Sequence, residues 1–364
     1  MPQIQIMIVD DSVVVRKALT EVLSTDPELN VAGWASNGRL ALAKLPMVRP
    51  DIILLDIEMP EMDGLEAIPG IRKISPRTPI IMFSTLTERG AEATLDALAL
   101  GASDYVAKPS NKDMAATSEA IKRDLVPKIK ALCRLPMSAG KTSSGIPTIP
   151  AAVPRAHIRI APVRSNSLKI VAIGVSTGGP DALARLLPAF PKNFPLPMLI
   201  VQHMPPIFTM LLAKRLASRC ALPVREAQPG DLIAPSRIWI APGDYHMVAE
   251  EEDRHVRLRT HQGPRENFCR PSVDVLFRSV AAIYGSHALG VILTGMGQDG
   301  LKGCEALAAA GASLIVQDEE SSVVWGMPGF VARAGLAEKI LPLDQICGEI
   351  VRRAAAQPTM QPVH

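Results

Sequence analysis

Lys169-Ile-Val-Ala-Ile-Gly-Val-Ser-Thr-Gly-Gly-Pro180 is an apolar run that breaks into a glycine-rich turn and then into an apolar helical pattern. A short β-branched run ended by glycines is a buried strand, and the change of period after Pro180 marks a strand-turn-helix unit. Ser176 stands at that turn with its hydroxyl free and backbone N–H groups beside it, an arrangement that suits a nucleophile attacking a carbonyl. A phosphate cradle or an ordinary tight connection uses the same glycines, so the turn alone leaves all three readings open. The fold is less ambiguous. Further apolar runs follow at Met198–Val201, Ile238–Ala241, Leu289–Leu293 and Ser313–Val316, with helical patterns between several of them, as in Asp181–Leu187, Phe208–Ala217 and Ser272–Ile283. The second half of the chain is therefore an α/β domain whose chemistry belongs at the carboxyl ends of its strands.

Working back toward the N-terminus, runs at Ile4–Val9, Val31–Ala35, Ile52–Leu55, Ile80–Phe83 and Tyr105–Ala107 alternate with helical segments, which predicts a second doubly wound parallel sheet of (βα)5 form. The predicted organisation is a domain over 1–132, a linker over 133–167, a domain over 168–356 and a disordered tail over 357–364. The linker is rich in Pro, Ser and Ala, and no acidic residue lies between Asp124 and Asp181. A solvated tether is the simple reading of its basic character, and contact with an acidic surface is the alternative.

The 364 residues suffice for two full cores, and 48% apolar with 21% charged residues describes a globular chain. The N-terminus has no basic region before its apolar run, so no signal peptide is expected and the cytoplasm is the default location. Cys133, Cys220, Cys269, Cys304 and Cys347 are scattered, odd in number and never in Cys-x-x-Cys spacing, which argues against both a disulfide framework and a zinc site. A net charge of +3, with no basic recognition helix, makes nucleic acid an unexpected partner.

Asp10 and Asp11 follow the first strand, Asp56 the third, Ser84 ends the fourth, and Lys108 follows the fifth. A parallel sheet brings these ends to one edge. Three crowded carboxylates repel one another unless a hard cation joins them, and an all-oxygen site suits Mg²⁺. Taken singly, each aspartate is more simply a helix or turn cap, but their common placement at strand ends argues for a site. Val9-Asp10-Asp11-Ser12, Leu55-Asp56-Ile57-Glu58-Met59-Pro60-Glu61-Met62-Asp63-Gly64, Phe83-Ser84 and Tyr105-Val106-Ala107-Lys108-Pro109 resemble the receiver domain of two-component response regulators, over about residues 1–125. The resemblance implies phosphorylation of Asp56, with Asp10, Asp11, Asp56 and the Glu58 carbonyl on Mg²⁺. It further implies that Ser84 and Lys108 hold the phosphoryl oxygens, that Tyr105 is an aromatic switch, and that the bond before Pro109 is cis. Pro69-Gly70 departs from the pattern and is expected to break or kink the helix after Gly64.

In the second domain Ser176, His203 and Asp299 stand at three strand ends and supply the hydroxyl, base and carboxylate that nucleophilic hydrolysis needs. Each has a bland counterpart as a phosphate-loop serine, a satisfied turn histidine and a helix cap; the complementary set favours catalysis. The glycines of Thr294-Gly-Met-Gly turn amides inward, which makes the Met296 N–H a candidate oxyanion donor. Gly174-Val-Ser-Thr-Gly-Gly-Pro180, Gln202-His-Met-Pro205, Ala241-Pro-Gly243, Arg270-Pro-Ser-Val-Asp-Val-Leu-Phe277, Leu293-Thr-Gly-Met-Gly-Gln-Asp-Gly300 and Asp318-Glu-Glu-Ser-Ser-Val-Val-Trp-Gly-Met-Pro328 resemble the catalytic domain of the chemotaxis protein-glutamate methylesterases.

That resemblance implies a Rossmann-like α/β hydrolytic domain with Ser176 as nucleophile, His203 as general base and acid, Asp299 as its orienter, and no cofactor there. It implies hydrolysis of glutamate γ-methyl esters, and deamidation of some glutamines, on the cytoplasmic helices of methyl-accepting chemoreceptors, with a chemotaxis histidine kinase as phosphodonor and no membrane insertion. It also implies that the unphosphorylated receiver covers the active groove. A non-enzymatic, phosphorylation-dependent adaptor would need no triad. A nucleotide-binding enzyme would need a Gly-x-Gly-x-x-Gly run or a P-loop lysine, and neither is present at that strand.

Overall fold

The computed structural model describes residues 3–84, 87–108, 114–133 and 167–355, so the expected linker, the tail and the Lys108–Pro109 bond lie outside the described residues. The first sheet contains β1 (Ile4–Val9), β2 (Leu29–Ala35), β3 (Ile52–Asp56), β4 (Ile80–Ser84) and β5 (Asp104–Ala107) in the order β2-β1-β3-β4-β5, all parallel. Helices α1 (Val13–Leu23), α2 (Gly38–Val48), α3 (Gly64–Ile74), α4 (Glu88–Ala99), α5 (Met114–Asp124) and α6 (Val126–Cys133) complete it. β3 and β4 are buried throughout, which is why they read as unbroken apolar runs rather than alternating ones.

The second sheet is built from β6 (Ile170–Val175), β7 (Met198–Gln202), β8 (Val224–Glu226), β9 (Ile238–Ile240), β12 (Ala288–Ile292), β13 (Ser313–Gln317) and β14 (Lys339–Leu341). Its order is β14-β13-β12-β6-β7-β9-β8, again parallel. A separate antiparallel hairpin, β10 (His246–Glu252) and β11 (His255–His261), was not foreseen. Three consecutive glutamates in β10 hide it from a hydrophobicity reading, and Arg257 and Arg259 of β11 pair with Glu252 and Glu250. The helices are α7 (Gly179–Leu186), α8 (Pro206–Ala217), α9 (Val273–Tyr284), α10 (Leu301–Ala309), α11 (Met327–Arg333) and α12 (Leu343–Ala355).

Contrary to expectation, α3 runs through Pro69 and Gly70 without ending. A capping box between Asp63 and Glu66 fixes its first turn, and burial of Ala67, Ile68 and Ile71 holds the helix through the lost backbone hydrogen bond. No helix among the described residues is long and apolar enough to cross a membrane.

Both sheets change direction at a central strand. β1 lies between β2 and β3, and β6 between β12 and β7, so each domain has a crevice beyond the carboxyl end of that strand. The apolar layers of the two domains merge on one side, where α4 meets α7 and α8.

Candidate functional site

At the edge of the first sheet, Asp11, Asp56, Glu58, Ser84, Gly90 and Lys108 line an open cleft of about 260 Å³. The cap of the following helix is supplied by Ser12, which accepts from Val15 N–H, and Asp10 serves that turn only through Oδ1, which accepts from Ser12 N–H at 2.8 Å, leaving Asp10 Oδ2 and the Asp11 carboxylate for another purpose. Carboxylate oxygens of Asp10, Asp11 and Asp56 all lie within 4.8 Å of one another. Lys108 Nζ reaches Asp56 Oδ2 at 2.7 Å and Asp10 Oδ2 at 3.2 Å. Asp10 Oδ2 is buried, and Lys108 meets it as an ion pair without an aligned hydrogen bond, so it keeps acceptor capacity that a further cation would satisfy. Burial pushes the Asp56 carboxyl up to about 6, against the pull of Lys108. Burial opposes the Lys108 charge as well, and its carboxylate partners outweigh it, so the ammonium is held above its ordinary range. An all-oxygen, electron-rich and partly unsatisfied donor set fits a hard divalent cation.

The second constellation is assembled at the switch point of the other sheet. Val175 and Gln202 are register partners, so Ser176 and His203 are the first residues past two neighbouring strands, and His203 N–H donates to Val175 O at 3.2 Å. The Ser176 turn is tied down by its own N–H to Thr294 O (3.0 Å) and by Gly179 N–H to Ser176 O (2.8 Å). Gly178 makes the turn at φ 77, a conformation that disfavours side chains. At Gly179 a Cβ would fall 1.9 Å from Gln202 Oε1, because the buried Gln202 amide crosses there to donate to the carbonyls of Ser176 (3.0 Å) and His203 (3.3 Å).

Asp299 is 2% exposed and accepts from five groups: His203 Nε2 (2.8 Å), Ser272 Oγ (2.7 Å), Val273 N–H (2.7 Å), Asn267 Nδ2 (2.9 Å) and Asp274 N–H (3.3 Å). Two of those donors are first-turn amides of α9, whose positive end faces the carboxylate. Burial alone would raise the Asp299 pKa, but the bonds from His203, Ser272 and Val273 overcome it and hold the group ionised, below its usual range. An ionised carboxylate only accepts, so His203 carries its proton on Nε2 and Nδ1 holds the lone pair in the neutral ring. Nδ1 faces Cys269 Sγ at 3.7 Å. Burial works against an imidazolium here, but the sulfur of Cys269 and the Asp299 carboxylate outweigh it and push His203 up to about 10.

Among the described residues no hydrogen bond links His203 to the Ser176 hydroxyl, although both lie on the same crevice. Such contacts commonly tighten only when substrate is bound. The Met296 N–H donates to no hydrogen bond among the described residues, and Met296 itself is half-buried on the segment that carries Thr294.

The two sites meet. Thr177, next to Ser176, donates from Oγ1 to Asp104 Oδ2 at 2.9 Å, and Lys128 Nζ holds the same carboxylate oxygen at 2.9 Å. The rings of Tyr105 and Phe208 stack with centroids 4.7 Å apart and planes 8° from parallel. Arg215 adds an exposed bond to Asp96 at 2.7 Å, while Val324, Met296 and Val323 pack with the receiver-side core around Phe83 and Val106.

The sequence reading named Ser176, His203, Asp299, Met296 and the acidic cluster, but not the groups that tune them. Ser272 had a usable signal, a serine at the start of a helical pattern, and Gln202 stood beside His203 in a quoted motif. Asn267 and Cys269 reach the site from a loop with no periodic signature.

Residues 171–350 match the CheB methylesterase family model, and residues 6–118 match the response regulator receiver domain model. A protein-glutamate methylesterase/protein-glutamine glutaminase of Trichodesmium erythraeum is 51% identical over 97% of this chain and 99% of its own length. One of the same description from a Nocardioides species is 48% identical over 100% of this chain and 99% of its own length. The crystal structure of the Thermotoga maritima CheB methylesterase catalytic domain aligns with a TM-score of 0.50 and 43% identity, covering 51% of this chain and 99% of that one.

Proposed function

The chain belongs to the CheB methylesterase family with a response regulator receiver ahead of the hydrolytic domain, and from that premise we propose that Ser176, His203 and Asp299 carry the hydrolysis and Asp56 controls it. The substrate is a glutamate γ-methyl ester on the cytoplasmic helices of a chemoreceptor, with glutamine deamidation as a related reaction. The protein acts in the cytoplasm and takes its phosphoryl group from a chemotaxis histidine kinase.

In this reading the neutral form of His203, its Nδ1 released from Cys269 Sγ, takes the Ser176 proton as Oγ attacks the ester carbonyl, and the Met296 N–H receives the developing oxyanion. The imidazolium then returns that proton to the departing methoxide, so methanol leaves and an acyl-serine remains. A water molecule, deprotonated in turn by His203, hydrolyses the acyl-serine and restores the free hydroxyl. Asp299 keeps Nε2 protonated throughout. The observation that carries the reading is the saturated Asp299 carboxylate fixing the tautomer of a histidine one strand from Ser176.

On the receiver, Asp56 attacks the phosphorus of the donor. Asp10, Asp11, Asp56 and the Glu58 carbonyl would hold Mg²⁺, which neutralises charge on the transferring group. Ser84 and Lys108 then hold the phosphoryl oxygens, which draws Lys108 from its present carboxylate partners. Tyr105 and Asp104 lie on the strand that leads into Lys108, so a shift there reaches Phe208 and Thr177. In the unphosphorylated state the receiver thereby restrains the Ser176 turn.

The esterase reading is tested by methanol release from methylated receptor membranes. Ser176→Ala should lower the rate by a factor on the order of 10⁴ or more. A variant with wild-type turnover would remove Ser176 from the mechanism.

A further inference from the structure

Beside the hydrolytic constellation lies a turn that is shaped against local preference. Glu266 and Cys269 exchange both backbone hydrogen bonds, at 3.1 and 2.9 Å, and the residues between them are both left-handed, Asn267 at φ 51 and Phe268 at φ 65. This is the arrangement of a type I′ turn, which favours asparagine first and glycine second. Asparagine tolerates the left-handed region, whereas a bulky aromatic there is a true outlier.

The surroundings hold the turn in place. Asn267 Nδ2 donates to Asp274 (2.8 Å) and Asp299 (2.9 Å), Cys269 Sγ meets His203 Nδ1, and Glu266 takes a two-pronged bond from Arg278 at 2.7 and 2.6 Å. Phe268 returns nothing to the core for its unfavourable backbone. It is 93% exposed, the most exposed large apolar side chain among the described residues. Strained residues that persist gather at functional sites, where their geometry is part of the task.

We propose that Phe268 is a docking residue for the protein substrate, its ring packing on the apolar flank of the helical segment that carries the ester. The inference rests on the esterase reading. A methyl ester on a helix cannot be engulfed in a pocket, so the surface bordering the triad must position the helix. An aromatic side chain suits that task, since it offers a large contact area at small entropic cost. Its two sequence neighbours are bonded to Asp299 and touch His203, so the ring is placed at a fixed offset from the reacting groups. On the helix, the matching apolar residue lies one turn from the ester, at a spacing of three or four.

The test uses the full chain, activated with a small phosphodonor and Mg²⁺, with methylated receptor membranes titrated as substrate and methanol as readout. Phe268→Gly relieves the backbone, so its melting temperature should match or exceed that of the wild type. Its KM for receptor should rise about tenfold, with a smaller change in kcat. Phe268→Tyr should restore the wild-type KM. A wild-type KM in Phe268→Gly would overturn the proposal, and so would a raised KM with a lowered melting temperature, which would mark a structural residue. If the wild type itself releases no methanol, the esterase reading fails and the docking role falls with it.

Discussion

The receiver cluster and the proposed Ser176–His203–Asp299 triad occupy the same place in two similar sheets, yet their carboxylates are treated in opposite ways. Asp299 accepts from five protein donors and is held ionised. Asp10 and Asp56 share one ammonium, Asp10 Oδ2 lacks an aligned donor, and burial lifts Asp56 to about 6. The saturated carboxylate can serve only the histidine attached to it, so its site is complete within the protein. The undersupplied cluster has affinity left for charge from outside, for a cation and a phosphoryl group. A sheet edge thus sets where chemistry happens, and the supply of hydrogen-bond donors sets whether the site works or waits.

The largest way to break this contrast is Asp299→Asn, which exchanges an acceptor for a donor facing Nε2 and favours the wrong tautomer. We expect turnover to fall by about 10⁴-fold, the scale at which triads respond to that substitution, measured as methanol release under saturating receptor. A loss below tenfold would show that tautomer control is not what the saturation of Asp299 achieves.

Asp104→Ala sharpens the contrast from the other side, because it removes the bond to Thr177 and should uncouple the sites. Basal, unphosphorylated activity should rise several-fold, since one such contact is worth about 1 kcal/mol. Unchanged basal activity with full phosphodonor stimulation would place the restraint elsewhere.

Cys269→Ala gives the smallest expected change. The sulfur beside Nδ1 favours the imidazolium and helps push His203 up toward 10 from an ordinary 6.5. Its removal lowers that pKa, so the base form is available at lower pH and the rising limb of kcat/KM moves to lower pH. A shift toward higher pH would reverse the sign assigned to the sulfur.

Sequence made the two sheets legible because their central strands are buried on both faces and read as unbroken apolar runs, as at Ile52–Leu55 and Ile170–Gly174. It missed the β10–β11 hairpin, where cross-strand ion pairs replace apolar alternation, and it misjudged Pro69, where tertiary burial overrides a local helix breaker. Candidate site residues could be named because they follow strands. Their tuning could not, since Asn267, Cys269 and Ser272 approach Asp299 and His203 through folding rather than through spacing. The Asp104–Thr177 bond spans 73 residues and two domains, and no pattern in the chain announces it.

The most direct test of a working site governed by a waiting one is methanol release from methylated receptor membranes by wild type and Asp56→Asn, each with and without a small phosphodonor and Mg²⁺. The account predicts that the phosphodonor stimulates the wild type and leaves Asp56→Asn at its basal rate. Equal stimulation of both proteins would contradict it.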